Sequence, residues 1–295
     1  MRLTNCAKVA IVALILGLLM AACSSTQAPS GATQTGASTP VSKVLVFMVE
    51  NHSLDQMKQG MPYTLGLAQK YGYATHYQAI QHPSLPNYLA VAGGSTFGVQ
   101  QDLAPAATSV SGESVFGQAL SMGKTATLYA EGMIDNCAPF SSGRYAVRHN
   151  PWAYFRDETA ACRQHDVPIE KLASDVTSGS LPNVGMVIPD LCNDAHDCPL
   201  SAADAWLKGQ LEQVLSGPDF ASGRLVVVIT ADEDDHHQDN TVLTSVLHPD
   251  LTGVVVDEPL THYALTGLYD EVLGAPPLRE AASAPSMLSA FGLHT

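Results

Sequence analysis

The sequence predicts an α/β fold in which helices cover both faces of a mostly parallel sheet, and three observations carry that prediction. Three apolar runs of strand length, residues 44–49 (VLVFMV), 184–188 (VGMVI) and 225–230 (LVVVIT), are continuous rather than alternating, as strands buried on both faces are. Segments of helical character lie between and after them, at residues 62–71, 113–122, 202–215 and 260–273. Each run also ends in polar residues: Glu50-Asn51-His52, Pro189-Asp190, and Asp232-Glu233-Asp234-Asp235. Ligands of open α/β sheets bind beyond the carboxyl ends of the strands, so these acids are expected to converge. Residues 125–130 are a further strand candidate, and no repeat or break divides residues 43–295, which read as one domain.

The chain begins with Met1-Arg2-Leu3 and Lys8, then an apolar run over residues 9–22, the n-region and h-region of a secretory signal. About fourteen apolar residues are too few to span a bilayer comfortably. Leu19-Met20-Ala21-Ala22-Cys23 resembles a bacterial lipobox, whose cysteine becomes the acylated first residue of the mature protein; a plain cleaved signal is the other reading. Residues 1–22 are thus expected to be a lipoprotein signal peptide, and residues 23–42, without a charge before Lys43, a flexible tether. Losing the signal removes Arg2 and Lys8 and no acid, taking the net charge from −14 to −16. Such a charge argues against nucleic acid as a partner and against simple electrostatic adhesion to anionic lipid. Outside the signal and lipobox four cysteines remain, an even number that reads as two disulfides in an exported protein. Spacing favours Cys137 with Cys162 and Cys192 with Cys198, among three possible pairings.

At the first strand end, Glu50 and Asn51 set a carboxylate beside an amide oxygen, hard donors suited to a divalent cation. Asp232 and Glu233 offer two more carboxylates, and crowding such acids together without a cation raises their pKa values. A solvated acidic loop at residues 232–237 is the plainer reading. The stretch His82-Pro83-Ser84-Leu85-Pro86-Asn87-Tyr88 sets a lone serine between two prolines that fix φ and hold the preceding residues extended. Residues 87–92 then read as a short helix stopped by Gly93-Gly94, with Pro86 in its first turn. Ser84 is either its N-cap or a hydroxyl facing the positive helix end, where a phosphate would sit. Arg148, beside His149, is a phosphate clamp or an ordinary surface arginine. Asp190, Asp194, His196 and Asp197 crowd around the Cys192–Cys198 segment, a clip that would hold His196 still or merely staple a surface loop. His262 stands at or just before the last helical segment, as a structural or a site histidine.

In this order, Glu50-Asn51-His52-Ser53, His82 to Tyr88, Arg148 to Trp152, Asp190 to Asp197, Asp232 to Asp235 and Thr261-His262-Tyr263 resemble the motifs of the bacterial phosphoesterase family. That family holds secreted acid phosphatases and non-haemolytic phospholipases C, and the likeness is strongest to the small mycobacterial-type secreted acid phosphatases. The resemblance covers nearly all of residues 43–274 and implies a three-layer α/β/α sandwich, alkaline-phosphatase-like, in which the nucleophilic serine or threonine opens a helix. Phosphodiesterase relatives carry Thr-Phe-Pro-Asn where this chain has Ser84-Leu85-Pro86-Asn87, which implies Ser84 as nucleophile. The same matching implies Glu50, Asn51, Asp232 and Glu233 as metal ligands. Two-zinc members have aspartate and Asp-His at these strand ends, so oxygen here replaces imidazole and one harder divalent ion is expected rather than two zinc ions.

The combined expectation is an exported, metal-dependent acid phosphatase hydrolysing phosphate esters through a phosphoserine on Ser84. His82, Asn87, Arg148, His149, Asp194 and His196 are its expected catalytic groups, and His262 is expected to join the metal site. Its substrate is a phosphate ester, a phosphoinositide or other phospholipid included. It is expected on the outer face of a bacterial cell membrane through Cys23, or secreted. The chain ends soon after His262, without the added C-terminal domains of phospholipase C members, which favours a phosphatase. A phospholipase C-type phosphodiesterase and a non-catalytic surface-binding lipoprotein are the alternatives.

Overall fold

The computed structural model describes residues 39–295, so the signal, Cys23 and most of the tether lie outside the described residues. In chain order the strands are β1 Lys43–Val49, β2 Gly72–Ala74, β3 Tyr77–Gln78, β4 Ala126–Ala130, β5 Asp166–Pro168, β6 Val184–Ile188, β7 Leu225–Ala231, β8 Thr244–Leu247, β9 Val254–Val256 and β10 Leu260–Thr261. Eight of them form one sheet in the order β5-β4-β6-β1-β7-β8-β2-β9. The first five in that order run parallel, β8 is antiparallel to both of its neighbours, and β9 pairs in parallel with β2. β3 and β10 form a small parallel pair of their own.

The four expected strands are β1, β4, β6 and β7, and they lie together: Val44 pairs with Val184 on one side and Val226 on the other. They are predominantly apolar because both faces are covered. The helices Ser84–Gly93, Val115–Ser121 and His262–Leu273 pack on one another over one face, and Leu54–Gly60, Pro62–Lys70 and Leu200–Ser216 over the other. Phe47 of β1 meets Trp206 of the second group edge-on, with ring centroids 6.4 Å apart. Buried Val41, near the start of the described residues, donates its N–H to the carbonyl of His294 at 2.9 Å. The disulfides are Cys137–Cys162 and Cys192–Cys198, the pairing that spacing favours.

Two elements differ from expectation. The helix expected over residues 87–92 starts three residues earlier, at Ser84, with Pro83 (φ −83°, ψ −166°) as the flanking residue. Ser84 is therefore not an N-cap, and Pro86, third in the helix, gives up an N–H that has no partner in a first turn anyway. The helix ends at Gly94 (φ +65°), where a Cβ would stand 2.2 Å from the carbonyl oxygen of Leu278, so only glycine fits. The last helical segment is shortened at its start: Leu260 and Thr261 form β10, and the Thr261 hydroxyl accepts from Tyr263 N at 3.3 Å. Among the described residues no helix is long and apolar enough to cross a membrane.

Candidate active site

The register of β1 with β7 pairs Val49 with Ala231, and Asp232 N donates to the Val49 carbonyl at 3.0 Å. Glu50-Asn51 and Asp232-Glu233 therefore leave the sheet side by side. Asn51 takes a left-handed conformation (φ +51°), which asparagine tolerates, and its N–H donates to Asp232 Oδ1 at 3.2 Å. Glu50 N donates to the Asp194 carbonyl at 2.8 Å, bringing in the loop that follows β6.

The helix Ser84–Gly93 stands with its first turn on these acids. Ser84 Oγ donates to Glu50 Oε2 at 3.1 Å, and Tyr88, one turn on, donates its hydroxyl to Glu50 Oε1. Asn87 Nδ2 reaches Glu233 Oε2 at 3.2 Å, while its Oδ1 accepts from the N–H groups of Ile80 and Gln81. His149, fully buried and stacked on Tyr88, sets Nε2 3.3 Å from Glu50 Oε2 and Nδ1 3.2 Å from Asp194 Oδ2. His82 lies 3.1 Å from Glu233 Oε2 and 3.2 Å from Asp234 Oδ1. His196 turns Nδ1 to Asp197 at 2.7 Å and Nε2 to Arg148 Nη2 at 3.0 Å. Ser84, Asn87, His82, His149, Asp194 and the four acid and amide groups thus meet at one place, with Arg148 and His196 as a pair at its more open side.

His262 takes a different position from the one expected. Its Nε2 lies 2.6 Å from the carbonyl of Asp232, an acceptor only, and its Nδ1 lies 3.0 Å from the Tyr77 hydroxyl. Both ring nitrogens are engaged, so the ring backs the Asp232 main chain; burial pushes its pKa down to about 4 and keeps it neutral.

Burial dominates the electrostatics. It raises Glu50 well above the usual carboxylate range, with Asp232 and Asp194 adding to the rise. Burial pushes Asp232 and Asp194 each to about 7, and burial with the charge of Asp232 pushes Glu233 to about 9. His149 is held well below its ordinary value by burial and by Arg148 and His196. Four acids so disfavoured as anions call for a compensating charge. Asp232 Oδ2, Asp194 Oδ2 and both ring nitrogens of His149 are buried without a hydrogen-bond partner. The Asn51 amide has one atom 3.2 Å from Glu233 Oε1 and 3.3 Å from Glu50 Oε2; turned nitrogen-first it donates to both, and turned oxygen-first it adds a third oxygen to the cluster. Glu50, His149 and Asp194 also present donor atoms within 4.8 Å of one another. These residues can hold a divalent cation, and the mainly oxygen set suits a hard one.

Three supporting residues were not foreseen. Tyr88 is four residues after Ser84 on one helix face, so spacing alone would have found it. Asp102, in a long loop without periodicity, accepts from Leu85 N at 2.9 Å and lies 3.7 Å from Arg148 Nε. Glu131, just past β4, accepts from Asp190 N at 2.9 Å and Asn193 Nδ2 at 3.0 Å, bracing the disulfide loop.

The chain belongs to the Phosphoesterase family, whose profile matches residues 57–265, and it is a phosphoric ester hydrolase. It is 28% identical over 255 residues to the phosphatidylinositol-3-phosphatase of Mycobacterium tuberculosis, covering 84% of this chain and 82% of that one. It is 29% identical to the phosphate-repressible acid phosphatase of Penicillium chrysogenum and 26% identical to an acid phosphatase of Aspergillus fumigatus, over 69% of this chain in each case. It spans about half the length of those two fungal relatives, 52% and 48%. In fold it is similar to a protein of the alkaline phosphatase superfamily from Vibrio parahaemolyticus (TM-score 0.60, 11% identity, 86% of this chain and 72% of that one). A sulfatase from Pseudoalteromonas sp. is also similar in fold (TM-score 0.52, 12% identity, 88% and 72%).

Proposed function

We propose that the chain is an exported, metal-dependent phosphomonoesterase of the acid phosphatase kind, working through a phosphoserine on Ser84 and anchored by lipid at Cys23. The observation that carries the reading is the position of Ser84 Oγ, buried at the start of a helix and 3.1 Å from Glu50 where three strand ends meet. The acid phosphatase and phosphatidylinositol-3-phosphatase among its relatives support a phosphate monoester as substrate.

In this mechanism Ser84 Oγ attacks phosphorus in line, its bond to phosphorus forming as the bond to the leaving alcohol breaks, and water then releases phosphate from the serine. A cation held by Glu50, Asn51, Asp232 and Glu233 would lower the pKa of the hydroxyl and offset phosphoryl charge. Arg148, whose nearest acid is 3.7 Å away, is free to turn its planar fork to a phosphoryl oxygen. Doing so releases His196 Nε2, which at present faces Arg148, and Asp197 on Nδ1 keeps the ring oriented as a proton donor to the alcohol. His149, neutral and enclosed between Glu50 and Asp194, suits positioning and proton acceptance inside the site.

A panel of p-nitrophenyl phosphate, its bis ester and phosphatidylcholine, run with a metal analysis of the purified protein, tests the reading. Turnover of the monoester with a divalent ion bound is expected. Preference for the bis ester or for phosphatidylcholine would replace it with a phosphodiesterase.

A further inference from the structure

Asp102 reaches the candidate site from a loop that supplies none of its other groups, and it does so from a fixed position. It stands at the tip of a tight turn, in which Leu103 N donates to the Gln101 carbonyl at 2.9 Å. Both sides of the turn are tied down: the Leu103 carbonyl accepts from the hydroxyl of buried Tyr154 at 2.9 Å, and the Val99 carbonyl accepts from Gln81 Nε2 at 3.1 Å. The carboxylate, with its side chain 28% exposed, is thereby held at the rim of the site.

Each of its oxygens faces a donor. Oδ1 accepts from Leu85 N at 2.9 Å, an N–H of the first helical turn that belongs to the residue after Ser84. Oδ2 lies 3.7 Å from Arg148 Nε, on a guanidinium whose Nη2 faces His196 Nε2 at 3.0 Å. A carboxylate and a phosphoryl group both present paired anionic oxygens, and a backbone N–H at a helix start and a guanidinium fork bind either. The charge of Asp102 also extends to the acids: after burial and Asp232 it adds to the rise of the Glu233 pKa, which Arg148 opposes. A helix cap alone requires no charge, since a neutral oxygen satisfies the same N–H.

We propose that Asp102 is a specificity-determining residue: its carboxylate holds two donors that a phosphoryl group on Ser84 would draw on, and its negative charge keeps the site's grip on free phosphate weak, so that product leaves. This rests on the phosphatase reading of Ser84. Inorganic phosphate, the product of a phosphomonoesterase, carries its charge on the same kind of oxygens as the substrate and competes for the same donors. A fixed unit charge close by, near a protein surface, lowers the affinity for such an anion by about tenfold or more.

The test uses the purified protein supplied with a divalent ion, and inorganic phosphate as the probe. Phosphate affinity is measured directly by calorimetry and as inhibition of p-nitrophenyl phosphate turnover. Asp102→Asn keeps the size of the side chain and an oxygen for the Leu85 N–H, and removes the charge. It is expected to bind phosphate about tenfold more tightly and to lower KM for the monoester in the same direction, while kcat does not rise, because product leaves more slowly. Asp102→Glu restores the charge and should return both constants towards those of the wild type. Asp102→Ala, read in the same way, serves if the asparagine protein does not fold. Unchanged phosphate affinity in the uncharged variants would overturn the proposal and leave Asp102 a helix cap. Weaker phosphate binding with a raised KM would overturn it in favour of a residue that merely orients Arg148. Phosphate held as tightly by Asp102→Glu as by Asp102→Asn, or by none of the proteins, would also overturn it. Failure of the phosphatase reading shows separately, as phosphate binding that Asp102→Asn tightens in a protein that turns over no monoester.

Discussion

Replacing Ser84 by alanine separates the two tasks of this residue. The hydroxyl is buried and donates one hydrogen bond, to Glu50 Oε2. Without it that carboxylate still holds Tyr88 on Oε1, but Oε2 loses its donor, because the His149 ring 3.3 Å away makes no hydrogen bond to it. The cost to the fold is that of a buried acceptor left without its donor, about 1–3 kcal/mol. In a domain of this size each kcal/mol lowers the melting temperature by roughly 2–4 °C. Catalysis is expected to fall by on the order of a thousandfold or more, because the covalent route is lost outright. Turnover of p-nitrophenyl phosphate beside a thermal melt measures both effects. Acid quenching of the wild-type enzyme during turnover should leave phosphate on the peptide that contains Ser84. A folded Ser84→Ala protein that keeps more than roughly a tenth of wild-type turnover would refute the mechanism and point to attack by water instead.

Exhaustive chelation should abolish turnover and also lower the melting temperature, since a cation at a hundred times its dissociation constant adds about 2.7 kcal/mol to stability; a melt indifferent to chelator and added metal would count against a cation among these acids. Cys192→Ala or Cys198→Ala should reduce kcat before it unfolds the protein, because the clip holds Asp194 and His196 while Glu131 still braces the loop; detection of either thiol free in exported wild-type protein would remove the premise. Asp166 is buried beside Asn150, which donates to it at 2.8 Å, and burial raises its pKa to about 8. The folded state therefore keeps a proton that the unfolded chain releases near its ordinary value, so stability contributed at low pH is lost as pH rises towards 8. In Asp166→Asn that portion of the slope should vanish between about pH 4 and 8, and parallel melting curves for the two proteins across that range would contradict it.

The centre of the fold was legible because burial on both faces forces a pattern that needs no partner to be recognised. β1, β6 and β7 are unbroken apolar runs, and each announces the site by ending in acids. The short strands were not legible, whether in the main sheet or in the separate β3–β10 pair. β2 and β9 have three residues each, β3 and β10 two, and β8 four, too few for a period to develop, and they are held by pairing with segments far along the chain. The same division runs through the site. Groups at strand ends and in the serine stretch could be named from local sequence. Asp102 could not, because it reaches Leu85 and Arg148 from a loop with no regular spacing. His262 was visible as a residue but not as a contact, since its approach to the Asp232 carbonyl is fixed by where the last helix packs.

The start of the Ser84 helix is also less open to an anion than a bare helix end would be. Asp102 already occupies the N–H of Leu85, and its charge stands where an incoming phosphate would otherwise gain from the helix dipole. That helix is instead docked on two acids, Glu50 through Ser84 and Tyr88, and Glu233 through Asn87. Those contacts fix the hydroxyl to the strand ends but leave the acids crowded, with oxygens that no protein donor reaches. A phosphoryl group entering here meets more negative than positive protein charge, and Arg148, paired with His196, offers it a permanent cation. One arginine does not offset both the crowded acids and the dianionic monoester proposed as substrate, and a cation held between Glu50, Asp232 and Glu233 would supply the further positive charge. The buried orphan oxygens and the proposed divalent ion are therefore one argument, reached from packing on one side and from the charge of the proposed substrate on the other.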